Sequence, residues 1–418
     1  MRKTEASVFY GKQEVGVVFE TAPGQIAFRY HVDWLKKSGS FAISHSLPLK
    51  STSYREVAHH YFANFLPEAD IRTAIAGRLG LSPENDFDLL IALGGDCAGA
   101  LTIGEAAAKS ENSTTPLDKK KLRKAFEQND TLFSTLQDVE AHDVRLSLAG
   151  AQDKLPVRVG RGDALLMPHG TSASTHILKF PSHRFKHLAE NETLMSEFAR
   201  RMGLIVPTTR LIDLNGLRAC LVERYDRSVV GENVTRLHQE DFCQALGRSH
   251  KVKYEKSGGP GFRDIYSGVE EISTDVTVDL ERTLRWLVFN VIIGNCDAHA
   301  KNISLLMVKP GAWVLTPHYD LVCTKMYPVI SKDLAMSIGG TNDSGTVTGT
   351  HWMKLAKDLK VGPGFLRSLV SEMAGRANDV FTDSRKAFES DYGRNDATQL
   401  IEKAVHEQAR RLTSQLLK

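Results

Sequence analysis

Asp297-Ala298-His299-Ala300-Lys301-Asn302, with Tyr319-Asp320 downstream, is the stretch on which the reading of this chain turns. It follows an apolar run, Trp286-Leu287-Val288-Phe289-Asn290-Val291-Ile292-Ile293-Gly294. An acid, an amide five residues later and a second acid beyond a short connection reproduce the D-x-x-x-x-N spacing of a kinase catalytic loop with its later metal-binding Asp. In that chemistry Asp297 takes the proton from a hydroxyl. Asn302 and Asp320 hold magnesium over a triphosphate, as hard oxygen donors for a hard cation. His299 and Lys301 line the phosphate path. Read alone, the hexapeptide is equally a capping loop after a helix, with Gly294-Asn295 as its stop. His318-Tyr319-Asp320, behind the strand-like Ala312–Leu315, is by itself a surface turn. The pairing of the two segments carries the reading.

Four further segments suit the same chemistry. Thr175-His176-Ile177-Leu178-Lys179 ends an apolar strand in a lysine, the placement of the lysine that meets nucleotide phosphates and a helix carboxylate. Glu192 on the following helix is the expected carboxylate and Glu197 the reserve; the bland alternative is a strand-end lysine in solvent. Ser147-Leu148-Ala149-Gly150-Ala151-Gln152-Asp153-Lys154 sets one glycine between small residues, so its amides can approach a phosphate. It matches neither G-x-G-x-x-G nor the Walker pattern, and a plain turn explains it as well. Leu221-Val222-Glu223-Arg224-Tyr225-Asp226 reads as a strand leading into a hinge whose main chain meets adenine, or simply as a strand end. Lys253-Tyr254-Glu255-Lys256-Ser257-Gly258-Gly259-Pro260-Gly261 reads as an irregular, flexible loop near the substrate, or as a connector.

Length and composition bound the rest. At 418 residues the chain suggests two or three domains of roughly 150 residues each. Apolar content of 42% and charged content of 25% are those of a soluble globular protein, and a net charge of +3 is too small for this size to argue for nucleic acid. The five cysteines form no C-x-x-C pair and read as free thiols of a reducing compartment. The N-terminus lacks a signal-peptide core, and Leu89–Leu93 is far too short to span a bilayer, so a cytoplasmic protein without a membrane partner is expected. His59-His60, Lys119–Lys121 and Arg200-Arg201 are discounted as ordinary surface or core residues. No G-x-S-x-G elbow supports a hydrolase.

The organisation is α+β: a β-rich N-terminal lobe and a mostly helical C-terminal lobe. Residues 1–104 read as a strand meander (Ser7–Tyr10, Gln13–Glu20, Gln25–Tyr30) with helices over Arg55–Phe65, Asp70–Leu79 and Phe87–Leu93, then a strand ending near Ile103. Residues 105–140 combine a linker, Glu105–Asp118, with a surface helix over Leu117–Gln137. Residues 141–225 hold β-like runs at Leu155–Val159, His176–Phe180, Thr209–Asp213 and Ala219–Glu223, with a helix at Glu190–Met202 stopped by Gly203. Residues 226–418 carry expected helices at Gln239–Leu246, Thr277–Ile293, Gly364–Ala377 and Thr398–Leu417.

Taken in order, these motifs resemble the HipA family of toxin kinases, over nearly the whole chain. Ser-Leu-Ala-Gly-Ala-Gln-Asp-Lys is similar to the family's phosphate loop, His-Ile-Leu-Lys to its ATP lysine and Val-Glu-Arg-Tyr-Asp-Arg to its hinge. Lys-Tyr-Glu-x-x-Gly-Gly-Pro-Gly, Asn-x-Asp-x-His-x-Lys-Asn and Tyr-Asp complete the series. Asp153, where some relatives carry Glu, and Leu148 are conservative departures. The resemblance implies a two-lobed, protein-kinase-related fold and a serine/threonine kinase using ATP and magnesium. By matching position Asp297 is the base, and Asn302 and Asp320 are the metal ligands. Ala149, Gly150, Ala151, Gln152, Asp153, Lys154, Lys179, Glu223, Arg224, Tyr225, His299, Ala300, Lys301, Asn302, Tyr319 and Asp320 contact nucleotide. Ser147 matches an autophosphorylated serine that shuts the enzyme off. A phosphate there adds about two negative charges to a loop built to embrace phosphates. The resemblance further implies a dimeric helix-turn-helix antitoxin of the HipB type, operator DNA bound mainly through it, and an aminoacyl-tRNA synthetase, such as the glutamyl enzyme, as target. Two other readings stay open: a DNA-bound co-repressor with vestigial kinase activity, and a metal-dependent phosphohydrolase using the same acids with His299 or His318.

Overall fold

The computed structural model describes residues 4–104, 113–127, 152–169 and 172–416. Ser147, Ala149, Gly150 and Ala151 lie outside the described residues, as does the expected surface helix beyond Glu127. The chain forms two compact units. Met1–His183, Ile212–Lys251 and Leu306–Trp313 make the first; Arg184–Leu211, Val252–Leu305 and Val314–Lys418 make the second.

In the first unit, β1 (Glu5–Tyr10), β2 (Gln13–Ala22) and β3 (Gln25–Tyr30) form an antiparallel meander, and β4 (Leu101–Ile103) pairs with β1. Gly11 and Gly24, at φ of 59° and 77°, take the left-handed conformation that these reversals demand. Val8, Val18, Ile26 and Phe28 are buried, with α2 (Glu56–Ala63) and α4 (Asp86–Leu93) packed against β3; α1 (Val32–Lys36) and α3 (Ala69–Leu79) complete the helices of this module. Phe28 meets Phe62 of α2 at 5.5 Å between ring centres, the kind of aromatic pairing that anchors a small core.

A six-stranded sheet follows, in the order β5-β7-β6-β8-β10-β9, built from β5 (Ser113–Pro116), β6 (Lys154–Val159), β7 (Leu165–His169), β8 (His176–Lys179), β9 (Thr209–Leu214) and β10 (Leu217–Glu223). Helix α5 (Lys119–Glu127) lies between β5 and β6 in sequence. The expected linker Glu105–Asp118 is thus part strand. Ser113–Pro116 has no inward face at all and is a strand because β7 offers its edge. A ribbon of β11 (Arg227–Val230) and β12 (Asn233–Arg236) is succeeded by β13 (His238–Asp241), which joins β14 (Ser304–Lys309) and β15 (Ala312–Leu315) in a three-stranded sheet. The helix expected over Gln239–Leu246 is therefore corrected to this strand followed by one helical turn, α7 (Phe242–Ala245). His238 and Glu240 are buried while Gln239 and Asp241 are half-buried, a period of two. Asp241 then caps the turn, accepting from the Gln244 amide.

The second unit is mostly helical: α6 (Leu188–Arg201), α8 (Phe262–Ile272), α9 (Val276–Ile293), α10 (Gly349–Asp358), α11 (Pro363–Tyr392) and α12 (Asp396–Gln415), with a two-stranded piece of β16 (Asp333–Ile338) and β17 (Thr341–Asp343). Phe198 of α6 touches Phe289 of α9 at 5.2 Å and Phe381 of α11 at 5.3 Å, so three helices share one aromatic centre. Helix α6 ends as its sequence suggests: Gly203 is at φ 86°, and the Leu204 amide reaches back to the Ala199 carbonyl. The helix expected at Gly364–Ala377 is only the first half of α11. No helix among the described residues is long and apolar enough to cross a membrane.

One buried group of the first unit gives a pH prediction. Glu240 is fully buried; its carboxylate accepts from the His45 amide at 3.1 Å and from the Ser44 hydroxyl, with Tyr30, Tyr61 and Asp241 facing it. Burial pushes its pKa up to about 8. The folded value stands above the unfolded one, so the contribution to stability is complete below about pH 4.3 and drains away as pH rises toward 8. From this group alone the protein should be about 3 kcal/mol less stable at pH 7 than at pH 5. Glu240→Gln keeps an acceptor for the His45 amide and should remove that slope; urea unfolding at the two pH values checks it.

Candidate active site

Helix α9 delivers the hexapeptide. The helix stops at Gly294, at φ 63°, where a Cβ would stand 2.8 Å from Cδ of Lys325. The next residue organises the turn. Asn295 Nδ2 donates to Asn290 Oδ1 at 2.8 Å, and its Oδ1 accepts from the Asp297 amide at 3.1 Å. Beyond it, the Asp297 carbonyl accepts from the His299 amide at 2.8 Å and from Asn302 Nδ2 at 2.9 Å, which closes the loop on itself. His299, Ala300, Lys301 and Asn302 are buried, whereas the Asp297 side chain is 50% exposed. Of this set, Asp297 is the carboxylate open to an incoming hydroxyl.

The second acid is held against the first segment at several points. Asn295 Nδ2 also reaches the Asp320 carbonyl at 3.4 Å. Thr324 Oγ1 donates to the Gly294 carbonyl at 2.9 Å and accepts from the Cys296 amide at 2.7 Å. Tyr319 Oη donates to the Lys301 carbonyl at 2.8 Å, and Ser304 Oγ lies 2.5 Å from the same hydroxyl. Asp320 itself sits at φ 54°, a left-handed conformation that aspartate tolerates better than most residues but that surrounding structure must impose. Helix α9 supplies part of that structure: Asp279 accepts from the Leu315 amide at 2.7 Å, and Arg282 donates to the carbonyls of Leu315 and Thr316. From α6, Asn191 exchanges two hydrogen bonds with Cys323, at 2.9 and 3.0 Å. His318 is buried; desolvation, then the Arg282 charge, holds its pKa down near 3, so it is a neutral imidazole.

The structure thus brings Asp297, His299, Lys301, Asn302, Tyr319 and Asp320 together in the second unit. With its amide nitrogen committed to the Asp297 carbonyl, Asn302 has its amide oxygen as the atom a cation would take. An amide oxygen and a carboxylate are hard donors of the kind magnesium accepts, with phosphates and water completing its shell. Among the described residues no group of three or more His, Cys, Asp or Glu is arranged to hold a metal ion.

Of the other expected residues, Gln152–Lys154, Lys179 and Glu223–Tyr225 belong to the first unit. Lys179 ends β8, 5% exposed, between β6 and β10, opposite Lys154 and Cys220. Gln152 Nε2 donates to the Phe180 carbonyl at 3.0 Å and the Phe180 amide donates to the Asp153 carbonyl at 3.0 Å, which ties Gln152–Asp153 to the end of β8. Burial raises the Asp153 pKa, with His183 opposing. Glu192 is buried on α6 in the second unit, and Glu197 is engaged by Arg200 at 2.6 Å and Arg201 at 2.7 Å on the same helix. At the end of β10, Glu223 is exposed, and beyond it Tyr225 Oη donates to Gln239 Oε1 at 2.5 Å. Arg224 is different. Its amide donates to the Thr175 carbonyl at 2.9 Å, and its guanidinium is fully committed to Asp226, Ser174 and the Cys97 carbonyl. Its side chain is thus held by Asp226, Ser174 and Cys97, which leaves its main chain as the part that the hinge reading invokes.

Sequence reasoning noted Asn295 only as a helix stop and motif position, and missed Thr324 and Asn191, which bond main-chain atoms flanking the two acidic segments, at Gly294, Cys296 and Cys323. The Lys253–Gly261 stretch, read as irregular, contains a single 3-10 turn, Glu255–Ser257, followed by its glycines. The Gly259 amide donates to the Tyr254 carbonyl at 3.0 Å, and a Cβ on Gly259 would fall 1.8 Å from the Val252 carbonyl oxygen.

Residues 6–104 match the HipA N-terminal domain and residues 146–381 the HipA-like C-terminal domain. The chain is 36% identical over 376 residues to a putative kinase, Y4mE, of Sinorhizobium fredii, covering 88% of each chain. It is 33% identical over 374 residues to the serine/threonine-protein kinase toxin HipA of Shewanella oneidensis, covering 86% of this chain and 84% of that one. Among solved structures it resembles a chain of the Shewanella oneidensis MR-1 complex of HipA, HipB and operator DNA, with a TM-score of 0.83 and 27% identity over 98% of this chain and 96% of that chain. The α+β architecture is that of this fold, strand-rich in one unit and helical in the other. The chain belongs to the HipA family.

Proposed function

We propose that this chain is an ATP-dependent serine/threonine kinase acting as the toxin of a toxin–antitoxin pair. The observation that carries the reading is the pair of acidic segments, Asp297–Asn302 and Tyr319–Asp320, joined directly by Tyr319 Oη on the Lys301 carbonyl and through Asn295, which bonds the Asp297 amide and the Asp320 carbonyl. Asp297, half-exposed, accepts the proton of a protein serine hydroxyl as its oxygen attacks the γ-phosphorus of ATP, and ADP leaves. Magnesium, when bound through Asn302 and Asp320, neutralises charge on the phosphates. Lys179 and the Gln152–Lys154 end of the phosphate loop serve the nucleotide's phosphates, and the main chain of Glu223–Tyr225 serves its base. Ser147 is the site of inactivating self-phosphorylation, and an aminoacyl-tRNA synthetase is the target class. A HipB-like helix-turn-helix antitoxin neutralises the toxin and carries it to operator DNA; the relative solved with HipB and operator DNA supports this part.

Purified protein incubated with γ-labelled ATP, magnesium and a cell extract should label itself and a small set of extract proteins. Absence of label in both would reject the kinase. In the same assay Ser147→Ala should abolish self-labelling and keep transfer to extract proteins. Label retained on another residue of the variant would remove Ser147 from the scheme.

A further inference from the structure

The turn at Val252–Gly261 is built to do one thing that the kinase reading does not assign. Tyr254 Oη donates a hydrogen bond to Asp297 Oδ1. Its ring also stands edge-on to His299, with centres 5.2 Å apart and planes at 79°. One side chain thus touches both the proposed base and the histidine two residues beyond it. His299 Nε2 lies 4.0 Å from the same Oδ1. The support beneath Tyr254 is firm on both sides. Next in sequence, Glu255 accepts from the Ser337 amide and from Ser337 Oγ, the latter at 2.8 Å, which pins the turn to β16. Behind it, Gly259 packs where no side chain can enter. Gly258, at φ 85°, and Gly261, whose added Cβ would lie 2.9 Å from the Glu255 carboxyl carbon, complete a turn that requires glycine.

We infer that Tyr254 is a positioning residue: it holds Asp297 by Oδ1, so that Oδ2 is the oxygen presented to the substrate hydroxyl. A carboxylate on a half-exposed side chain otherwise rotates, and a base displaced by about 1 Å from the reacting hydroxyl loses a large part of its effect. The glycine-rich turn is, in this view, the rigid mount of the base and not a moving lid. The inference rests on the assignment of Asp297 as the base.

The test compares wild type, Tyr254→Phe and Tyr254→Ala in steady-state phosphotransfer, with nucleotide affinity and melting temperature measured on each. Tyr254→Phe keeps the ring against His299 and removes only the hydroxyl. It should lower kcat about tenfold with KM for ATP and nucleotide affinity within twofold of wild type and melting unchanged. Tyr254→Ala, which also loses the ring contact, should fall further. An active wild type with an equally active Tyr254→Phe variant overturns the inference and leaves the kinase reading standing. So does a loss in kcat matched by an equal loss of nucleotide affinity, which would mark Tyr254 as merely structural. A wild type that transfers no phosphate overturns the kinase reading, and this assignment with it.

Discussion

Asp297→Asn should reduce phosphotransfer about a thousandfold while nucleotide affinity and thermal stability stay close to wild type. The size follows from removing a general base at the point of proton transfer. The selectivity follows from the geometry. The Asp297 side chain is half-exposed, so its replacement opens no cavity and strands no buried charge. Its main chain makes the bonds that shape the loop, accepting from His299 and Asn302 and donating to Asn295, and these survive the substitution. Asn also retains an oxygen for the Tyr254 hydroxyl. Kinetics on the purified variant, with binding of a fluorescent ATP analogue as control, separates the two effects. A variant with wild-type turnover would move the base to another residue and dissolve the site as drawn.

Much of this site was legible because its chemistry is local. The acid–amide spacing of Asp297 and Asn302 is set by one turn after one helix, and the helix announces itself by an apolar run ending in Gly294. Strand β8 reads correctly because Ile177 and Leu178 precede Lys179 between turn residues. What escaped was tertiary. Ser113–Pro116 looks like a linker since none of its side chains is buried, and only the neighbouring strand makes it β. The second half of α11 hides behind Asp379, Asp383, Arg385 and Lys386, while Phe381, Ser384 and Phe388 alone mark its inner face. The burial of the Arg224 side chain was likewise hidden, since nothing close in sequence except Asp226 announces its partners. Two of those partners, Cys97 and Asp96, arrive from the N-terminal module, and Asp96 sets up the other large effect.

Asp96→Asn should destabilise the protein by about 4 kcal/mol near neutral pH, a large share of the total stability of an ordinary domain. Asp96, 3% exposed, follows α4 and accepts from Ser174 Oγ at 2.8 Å. It also meets Arg227 at 3.0 Å, Arg236 at 3.1 Å and Arg224 at 3.7 Å. Asp226, equally buried, serves Arg224 at 2.7 Å, Arg227 at 2.8 Å and the Gly99 amide at 2.8 Å. Two carboxylates therefore balance three guanidiniums away from water, and removing one leaves the excess positive charge without its counterpart. Burial alone would raise the pKa of both aspartates, but the arginines outweigh it and hold both below the usual carboxylate range. With folded values below the unfolded one, their contribution is complete above about pH 3.9 and is lost as pH falls through the folded values. The gap between wild type and Asp96→Asn should thus be full at pH 7 and close in strong acid, where the wild-type carboxyl is itself neutral. Chemical denaturation across that range measures it, and equal midpoints at pH 7 would mean that the charges are compensated elsewhere. The consequence reaches the site as well. The same cluster fixes Arg224, whose amide donates to the Thr175 carbonyl just before β8, so on the proposed kinase reading Asp96 supports the strand that carries Lys179. A folded Asp96→Asn protein should accordingly show a raised KM for ATP before it shows any change in kcat.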